Sequence, residues 1–491
     1  MLTYDDALRK VGVLYGRLQE RRPDIVRFDD FYEGKQPLKF ASREWSEFHK
    51  DRYAGFADNW CGVPPDALNE RLQVKDFRSG KTRERWEDDL WRAWEANNLS
   101  AQSSQGFLQS IVAKRSHVLV WPGRDGTPVV TWEHPATSIV QHDAANPRVR
   151  LYGLKSWVDG KTEFAVLYDA THVYKFQRKV AETVDRKGVV AGGIILPTAT
   201  ARRMVGEGNG WKQWQPRTDD LWPIRHGFDT VPLVEIPNRP RLGRGPISDI
   251  HGTIAMQNAI NLLWAYLFAA ADHASFPARV VMGQEPPKLP ILDENGQKIG
   301  EKPVDIKELQ HGRLLWLTGQ NTTIGQWDAA KLNVFTDVIE IGIGHIASQT
   351  RVPAHYFIQN SGLSNVNGDT LTATETPLVK KAEEFQLFSS DPLSEIFKLM
   401  AQVQGSGSYT AAITPSSIKW KNPAIRSDAQ LADALLKKRQ VGYPFEYLME
   451  LEDVSPADRD RILEMKRREQ SDPDVQAIVD RLGNNDDAYG V

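Results

Sequence analysis

The sequence predicts an α+β chain organised around a helical hairpin, and three observations carry that prediction. Between Gly245 and Pro353, two long apolar-patterned stretches of similar length flank a short strand-and-turn segment. Ahead of them the hydrophobic period switches from helical spacing to alternation, as in an antiparallel meander. After them, charged helical patterns run almost to the C-terminus.

Taken in order, Thr3-x-x-Asp6 opens a helix with Leu8, Val11, Leu14 and Leu18 on one face. A polar, aromatic-rich segment from Phe28 to Phe56 follows, then Asn59 to Gly62, Pro64-Pro65 and the strand-like Leu72 to Phe77. Helical spacing returns at Trp86, Leu90 and Trp94, and again from Ala101 to Lys114. Val118 to Trp121 and Pro128 to Trp132, joined by Gly123-Arg124-Asp125-Gly126, read as a hairpin. Val149 to Trp157, Phe164 to Tyr168 and Val173 to Phe176 continue the meander. Val180 to Pro223, rich in Gly and Trp, is expected to include a mobile loop, and Val231 to Asn238 is a last apolar strand.

The first long helix is expected to start at Gly245, with Pro246 at its first position and Asp249 at the positive end of its dipole. Running to about Ala271, it would span roughly 37 Å. Apolar residues, Ile254, Ile260, Leu263 and Leu267 among them, cover most of its circumference, leaving one polar stripe of Thr253, Gln257, Asn258 and Asn261. Such a helix needs neighbours on nearly every side. The second is expected to start at Asp328, an N-cap residue, and to end before Pro353, about 33 Å later. Leu332, Phe335, Ile339, Gly342 and Ile346 alternate three- and four-residue steps along it, the seam of a helix packed lengthwise on another. Between the two lie the strand-like Ala278 to Met282, the turn Asp293-Glu294-Asn295-Gly296 and the strand-like Arg313 to Thr318.

Beyond Pro353, Gln359 to Gly368 is small, polar and uncharged, hence a loop. A third long helix is expected from Thr370 to Gln404, bent at Pro377 and Pro392. A strand at Ile418 to Trp420 and helices at Ser427 to Gln440, Pro444 to Leu451 and Ser455 to Gln470 complete the pattern, with a fraying tail from Ser471.

Composition narrows the function. Lys plus Arg number 61 against 64 Asp plus Glu, a net charge of -3, which argues against a tight electrostatic grip on nucleic acid. Cys61 is the single cysteine, so disulfide scaffolds and cysteine-ligated zinc are excluded and a reducing compartment is expected. Met1 to Lys10 lacks an apolar core of signal-peptide length, so cytoplasmic synthesis is expected.

Motifs for chemistry are weak. Gly342-Ile343-Gly344-His345-Ile346-Ala347 after the strand-like Val338 to Ile341 could be a dinucleotide fingerprint with Asp369 downstream, which would make the chain a nucleotide-binding enzyme. Pro353 ends the following helix early and no βαβ repeat surrounds the motif, so glycines permitting close helix packing are the preferred reading. Gly206 to Gly210 reads as a flexible turn. A single membrane span at Ile254 to Ala271 is the other alternative, but three amides interrupt it. His345 and His355 are too far apart for a helical ligand pair, and no metal or cofactor site is expected. Pro456, Asp458, Glu464 and Lys466, the residue types of some nuclease centres, share one charged helix that reads as a solvated face. The pair Lys380-Lys381 reads as a surface feature. No nucleophile, base and oxyanion set emerges, so a machine part rather than an enzyme is expected.

The order of parts resembles the portal proteins of tailed bacteriophages, in particular those of long-tailed phages of actinobacterial hosts. The resemblance covers nearly the whole chain. Its carriers are Phe31-Tyr32-Glu33-Gly34 with Pro37-Leu38, Asn59-Trp60-Cys61-Gly62 with Glu70-Arg71-Leu72, and Val231-Pro232-Leu233-Val234 through Asn238-Arg239-Pro240. Gly243-Arg244-Gly245 with Ser248-Asp249-Ile250, Thr350-Arg351-Val352-Pro353 and Trp420-Lys421-Asn422-Pro423 complete the set.

The resemblance implies a homo-oligomeric ring, usually of about twelve copies, at one vertex of the capsid of the virion. Double-stranded DNA would pass loosely through its channel during packaging and ejection. It implies a wing at 1–244, stem helices at 245–273 and 328–353 and a clip at 274–327. It further implies a tunnel loop at 354–369, a wing-spanning helix and strand at 370–426, crown helices at 427–470 and a flexible tail at 471–491. Partners would be the large terminase subunit, the head-tail adaptor, and the major capsid protein and scaffold, with no membrane. Glu285, Asp293, Glu294 and Lys298 would be docking contacts on the clip, and Gln359, Asn360, Ser361, Asn365 and Asn367 would face the DNA channel. Ile254, Leu263, Leu267, Leu332, Phe335, Ile339, Gly342 and Ile346 would pack the stem.

Overall fold

The Thr3 hydroxyl accepts the backbone N–H of Asp6 and starts helix α1 (Tyr4–Tyr32), as its capping pattern predicts. The helix runs past Phe28, where a polar segment was expected, because Ile25, Phe28 and Phe31 continue the three- and four-residue spacing of its buried face. The computed structural model describes residues 1–36, 56–80, 84–180, 189–191, 194–196, 210–215, 221–275, 279–282, 288–292, 297–303, 314–317, 331–357, 368–424, 428–452, 454 and 456–471. The chain forms two units: Met1–Glu33, Cys61–Gly252 and Ala347–Val491 in one, and Gly34–Trp60 with Thr253–Ile346 in the other.

In the first unit, α1 is followed by α2 (Val63–Asn69), β1 (Val74–Phe77), α3 (Arg85–Ala96) and α4 (Leu99–Ala113). Strands β2 (Arg115–Pro122), β3 (Pro128–Glu133), β4 (Ser138–His142), β5 (Arg150–Asp159), β6 (Thr162–Tyr168) and β7 (His172–Lys179) then run in sequence. Short strands β8 (Val189–Ala191), β9 (Ile194–Leu196), β10 (Lys212–Gln213) and β11 (Ile224–Arg225) precede β12 (Leu233–Pro237). One antiparallel sheet is ordered β10-β7-β6-β5-β4 with β11 also on β7, and a second is ordered β12-β2-β3. Strand alternation sorts β6 between two cores. Ala165 and Leu167 join Val11, Leu14 and Leu18 of α1, whereas Val166 and Tyr168 join Val231 and Leu233.

The C-terminal part of this unit holds α7 (Gly368–Val403), β17 (Ile418–Trp420), α8 (Asp428–Gln440), α9 (Phe445–Leu451) and α10 (Pro456–Ser471). Pro377 and Pro392 both lie within the one continuous helix α7, which spans the stretch expected for it. An aromatic stack anchors α7: Phe397 lies 4.4 Å from Phe77 and 5.3 Å from Trp94, ring centre to ring centre. Antiparallel pairing of β17 with β1 ties residues 418–420 to the N-terminal part of the chain.

The second unit contains α5 (Ile254–Ser275), β13 (Arg279–Met282), β14 (Lys288–Leu292), β15 (Lys298–Pro303), β16 (Leu314–Leu317) and most of α6 (Asn333–Thr350). The polar stripe of α5 is used inside the unit. Gln257 Oε1 accepts the backbone N–H of Trp60 at 2.8 Å, Asn261 Oδ1 that of Asp58 at 3.1 Å, and the Trp264 indole donates to Asp58 at 2.7 Å. Helix α5 has the length and hydropathy of a membrane span over Ile254–Ala271, yet the Gln257 and Asn261 amides are buried on protein partners. The two strands expected at its tip pair in parallel, Arg279 opposite Leu314 through Met282 opposite Leu317, and β14 with β15 forms a separate hairpin that the sequence pattern did not reveal.

Two expectations about these helices are corrected. Helix α5 begins at Ile254, not Gly245. The buried Asn238 side chain donates to the Ile247 carbonyl, and the Asp249 N–H donates to Ile111, so residues 247–249 are committed to contacts a helix would break. Val338 to Ile341 is helical rather than a strand, which removes the strand–turn–helix context a dinucleotide fingerprint needs. A β-carbon on Gly342 would meet Met256 and Ile260 of α5 at 3.4 Å, ordinary contact distance, so this glycine lies on the face that α6 turns to α5. Asp328, expected to cap the second helix, lies outside the described residues.

Gly106 on α4 faces the Trp132 ring of β3 so closely that a β-carbon there would sit 1.8 Å from Cε3. The Gly106→Ala variant is expected to lose about 1–3 kcal/mol, read as a lowered urea midpoint; an unchanged midpoint would show that the ring can step aside without loss.

Candidate functional site

Helix α6 ends in a Schellman motif: Val352 N–H bonds to the Ala347 carbonyl at 3.2 Å and Arg351 N–H to Ser348 at 3.4 Å. The left-handed position of this motif usually belongs to glycine, and the ends of α7 and α8 obey that rule with Gly405 (φ +75°) and Gly442 (φ +100°). Here Arg351 takes φ +60°, which costs an L-residue about 1–2 kcal/mol. Its guanidinium bonds Glu384 of α7 at 3.0 Å, the contact glycine could not make. Pro353 then blocks further helix.

Below this turn lies a buried charge pair. Lys381 and Asp249 side chains are each 1% exposed and in direct contact, and the Lys381 ammonium also donates to the Thr350 carbonyl at 2.7 Å. Burial pushes the Lys381 ammonium below its usual range while Asp249 opposes the shift. A second junction follows within a few residues. Arg71 of the 70–73 turn donates to Glu375 of α7 at 2.6 Å, to the Tyr356 hydroxyl at 2.7 Å and to the Pro423 carbonyl at 2.9 Å. His355 Nε2 lies 3.1 Å from the other Glu375 oxygen. Burial raises the Tyr356 hydroxyl, with Arg71 opposing. Both junctions fasten residues 350–357 to the flank of α7.

This arrangement sets charge against charge. Each charged side chain in it is matched by an opposite charge or a carbonyl, and it offers no activated nucleophile. Among the described residues no three His, Cys, Asp or Glu side chains cluster as metal ligands.

Of the residues singled out beforehand, Ile254, Leu267, Ile339, Gly342 and Ile346 are buried, while Leu263, Leu332 and Phe335 are half-buried. Gln359, Asn360, Ser361, Asn365, Asn367, Glu285, Asp293 and Glu294 lie outside the described residues, and Lys298 is the first residue of β15. Lys380 is exposed and pairs with Glu383, but Lys381 is not the surface residue expected. The overlooked signal was its spacing: Leu378, Ala382 and Phe385 are buried, which puts 381 on the inward face. Asp249 is likewise an ion-pair partner and not a dipole charge. On α10, Glu464 pairs with Arg468 and Lys466 lies over the Phe445 ring, so these two serve the helix surface, whereas the buried Arg459 pairs with Asp76 of β1 at 3.4 Å.

The family described as "Phage portal protein, SPP1 Gp6-like" matches residues 13–472. The portal protein of Mycobacterium phage L5 is 23% identical over 389 residues, covering 76% of this chain and 70% of the relative. That of Mycobacterium phage D29 is 24% identical over 379 residues with the same coverage, 76% and 70%.

Replacing Lys381 by Met leaves the buried Asp249 with only the longer 3.9 Å contact to the half-exposed Arg239, which is expected to cost about 3–5 kcal/mol. The double variant Lys381→Met with Asp249→Leu is expected to recover most of that. Chemical denaturation of the full chain decides it, and a double variant no more stable than the single one would remove the pair from its assigned place.

Proposed function

The chain belongs to the phage portal protein family, and on that premise we propose that it assembles into a closed ring of roughly twelve copies at one capsid vertex, a conduit for double-stranded DNA entering and leaving the head. The observation that carries the ring is the open flank of α6. Ile339, Ile343 and Ile346 are buried, whereas Val334, Val338 and Ile341 are 57%, 45% and 58% exposed on the same helix. A long helix apolar on both sides is suited to its own partner helix on one and to a second copy on the other.

In this reading, 1–244 is the wing, α5 and α6 are the cores of the stem segments 245–273 and 328–353, and 274–327 is the clip. Residues 354–369 are the tunnel loop, 370–426 spans the wing, 427–470 is the crown and 471–491 the tail. The clip, with Glu285, Asp293, Glu294 and Lys298, docks the large terminase subunit and then the head-tail adaptor, and the rim meets the major capsid protein and scaffold. Gln359, Asn360, Ser361, Asn365 and Asn367 offer amides and a hydroxyl without charge to a sliding DNA backbone. A chain of net charge -3 favours sliding over holding, since affinity grows with each phosphate neutralised. The protein acts as structure, not as an enzyme.

Two outcomes are expected. Negative-stain images and mass measurement of the full chain show annular oligomers, and the double variant Val338→Asp with Ile341→Asp stays folded by circular dichroism but loses the ring; rings that form equally well would place the subunit contact elsewhere. Separately, Asn360→Ala with Asn365→Ala leaves rings intact and changes the amount of DNA packaged or retained. Wild-type packaging and retention would take the loop out of the mechanism.

A further inference from the structure

Away from both junctions, a cavity of about 470 Å³ opens on the meander. Arg17 and Arg21, one turn apart on α1, face it together with Arg115 of β2, Glu235 of β12, and His142 and Asp143 at the end of β4. The Arg115 guanidinium donates to both Glu235 oxygens at 2.9 Å, so these two charges cancel. Burial alone would raise the Glu235 carboxyl, but Arg115, His117 and Arg21 outweigh it and hold it below the usual carboxylate range. Asp143 is partly occupied, accepting the Ala145 N–H at 3.0 Å. Burial lowers His142, keeping it neutral. Two guanidiniums, Arg17 and Arg21, therefore face one carboxylate, an excess of one positive charge. Nη1 of Arg21 is sealed from solvent and has no acceptor among the described residues.

We propose that this cavity binds one inorganic phosphate, held between Arg17 and Arg21 with Arg115 at its floor. A tetrahedral oxyanion has acceptor oxygens enough to bridge two guanidiniums on successive helix turns, each contact being charge-assisted. The like-charge crowding that otherwise weakens α1 there is relieved on binding. That crowding is visible in Arg21, which burial first, then Arg115 and Arg17, push down to about 10. Among the lining residues Val140 and Leu151 supply apolar wall, and none is Phe, Tyr or Trp. The site does not depend on the ring, since all its residues come from one unit of one copy.

The test is thermal unfolding of the full chain in rising sodium phosphate at ionic strength held constant with sodium chloride, with calorimetric titration for stoichiometry. The midpoint is expected to rise saturably by about 2 °C or more, with one phosphate bound per chain. Arg17→Gln with Arg21→Gln is expected to weaken binding at least about tenfold. Arg21→Gln alone is expected to leave the phosphate-free midpoint unchanged or higher. No phosphate response, an equal response to acetate, a response to a nucleoside diphosphate but not to phosphate, or an Arg21→Gln chain that is destabilised yet still responds would each overturn the proposal.

Discussion

The contact between Lys381 and Asp249 is the constraint on which the first unit's arrangement depends. Two opposite charges almost wholly removed from water are tolerable only while each satisfies the other, since desolvation of either alone costs several kcal/mol. That requirement ties together three places far apart in sequence: the segment before α5, the last carbonyls of α6 and the middle of α7. It also explains why α5 starts late. Asp249 cannot serve a helix N-terminus and this ion pair at once, and the pair, backed by Asn238 and Ile111, wins.

Arg351 shows the same economy of position. At the ends of α7 and α8 the left-handed position is glycine, at 405 and 442. At 351 the chain accepts a strained backbone to place a guanidinium on Glu384. With Arg71, Tyr356 and His355 gathered on Glu375, the run from 350 to 357 is held at several points on α7.

Much of this was legible because it is local. Period two located most of the meander, three-four spacing found α3, α6 and α7, and Thr3 capped α1 as written. What escaped was non-local. Gly245-Pro246 with Asp249 is a sound helix start judged by neighbours alone, and nothing nearby announces that Asn238 and Lys381 claim the same backbone and carboxylate. The hairpin of β14 and β15 hid because Lys288 to Leu292 and Lys298 to Pro303 include prolines and lysines rather than a β-branched run. The cavity lined by Arg17 and Arg21 was invisible for a different reason: its residues come from α1, β2, β4, β5 and β12, and only folding brings them together.

The parallel pairing of β13 with β16 sets a rule for how the end of the helical hairpin can change. Because both strands run the same way, the chain leaving Met282 must travel back a full strand before Leu314 can sit beside Arg279. A two-residue turn cannot make that return. Whatever lies between them can therefore be lengthened, at an entropic cost that grows only logarithmically, or replaced wholesale by a graft. It cannot be trimmed away, so divergence at this end proceeds by exchange and growth rather than by deletion.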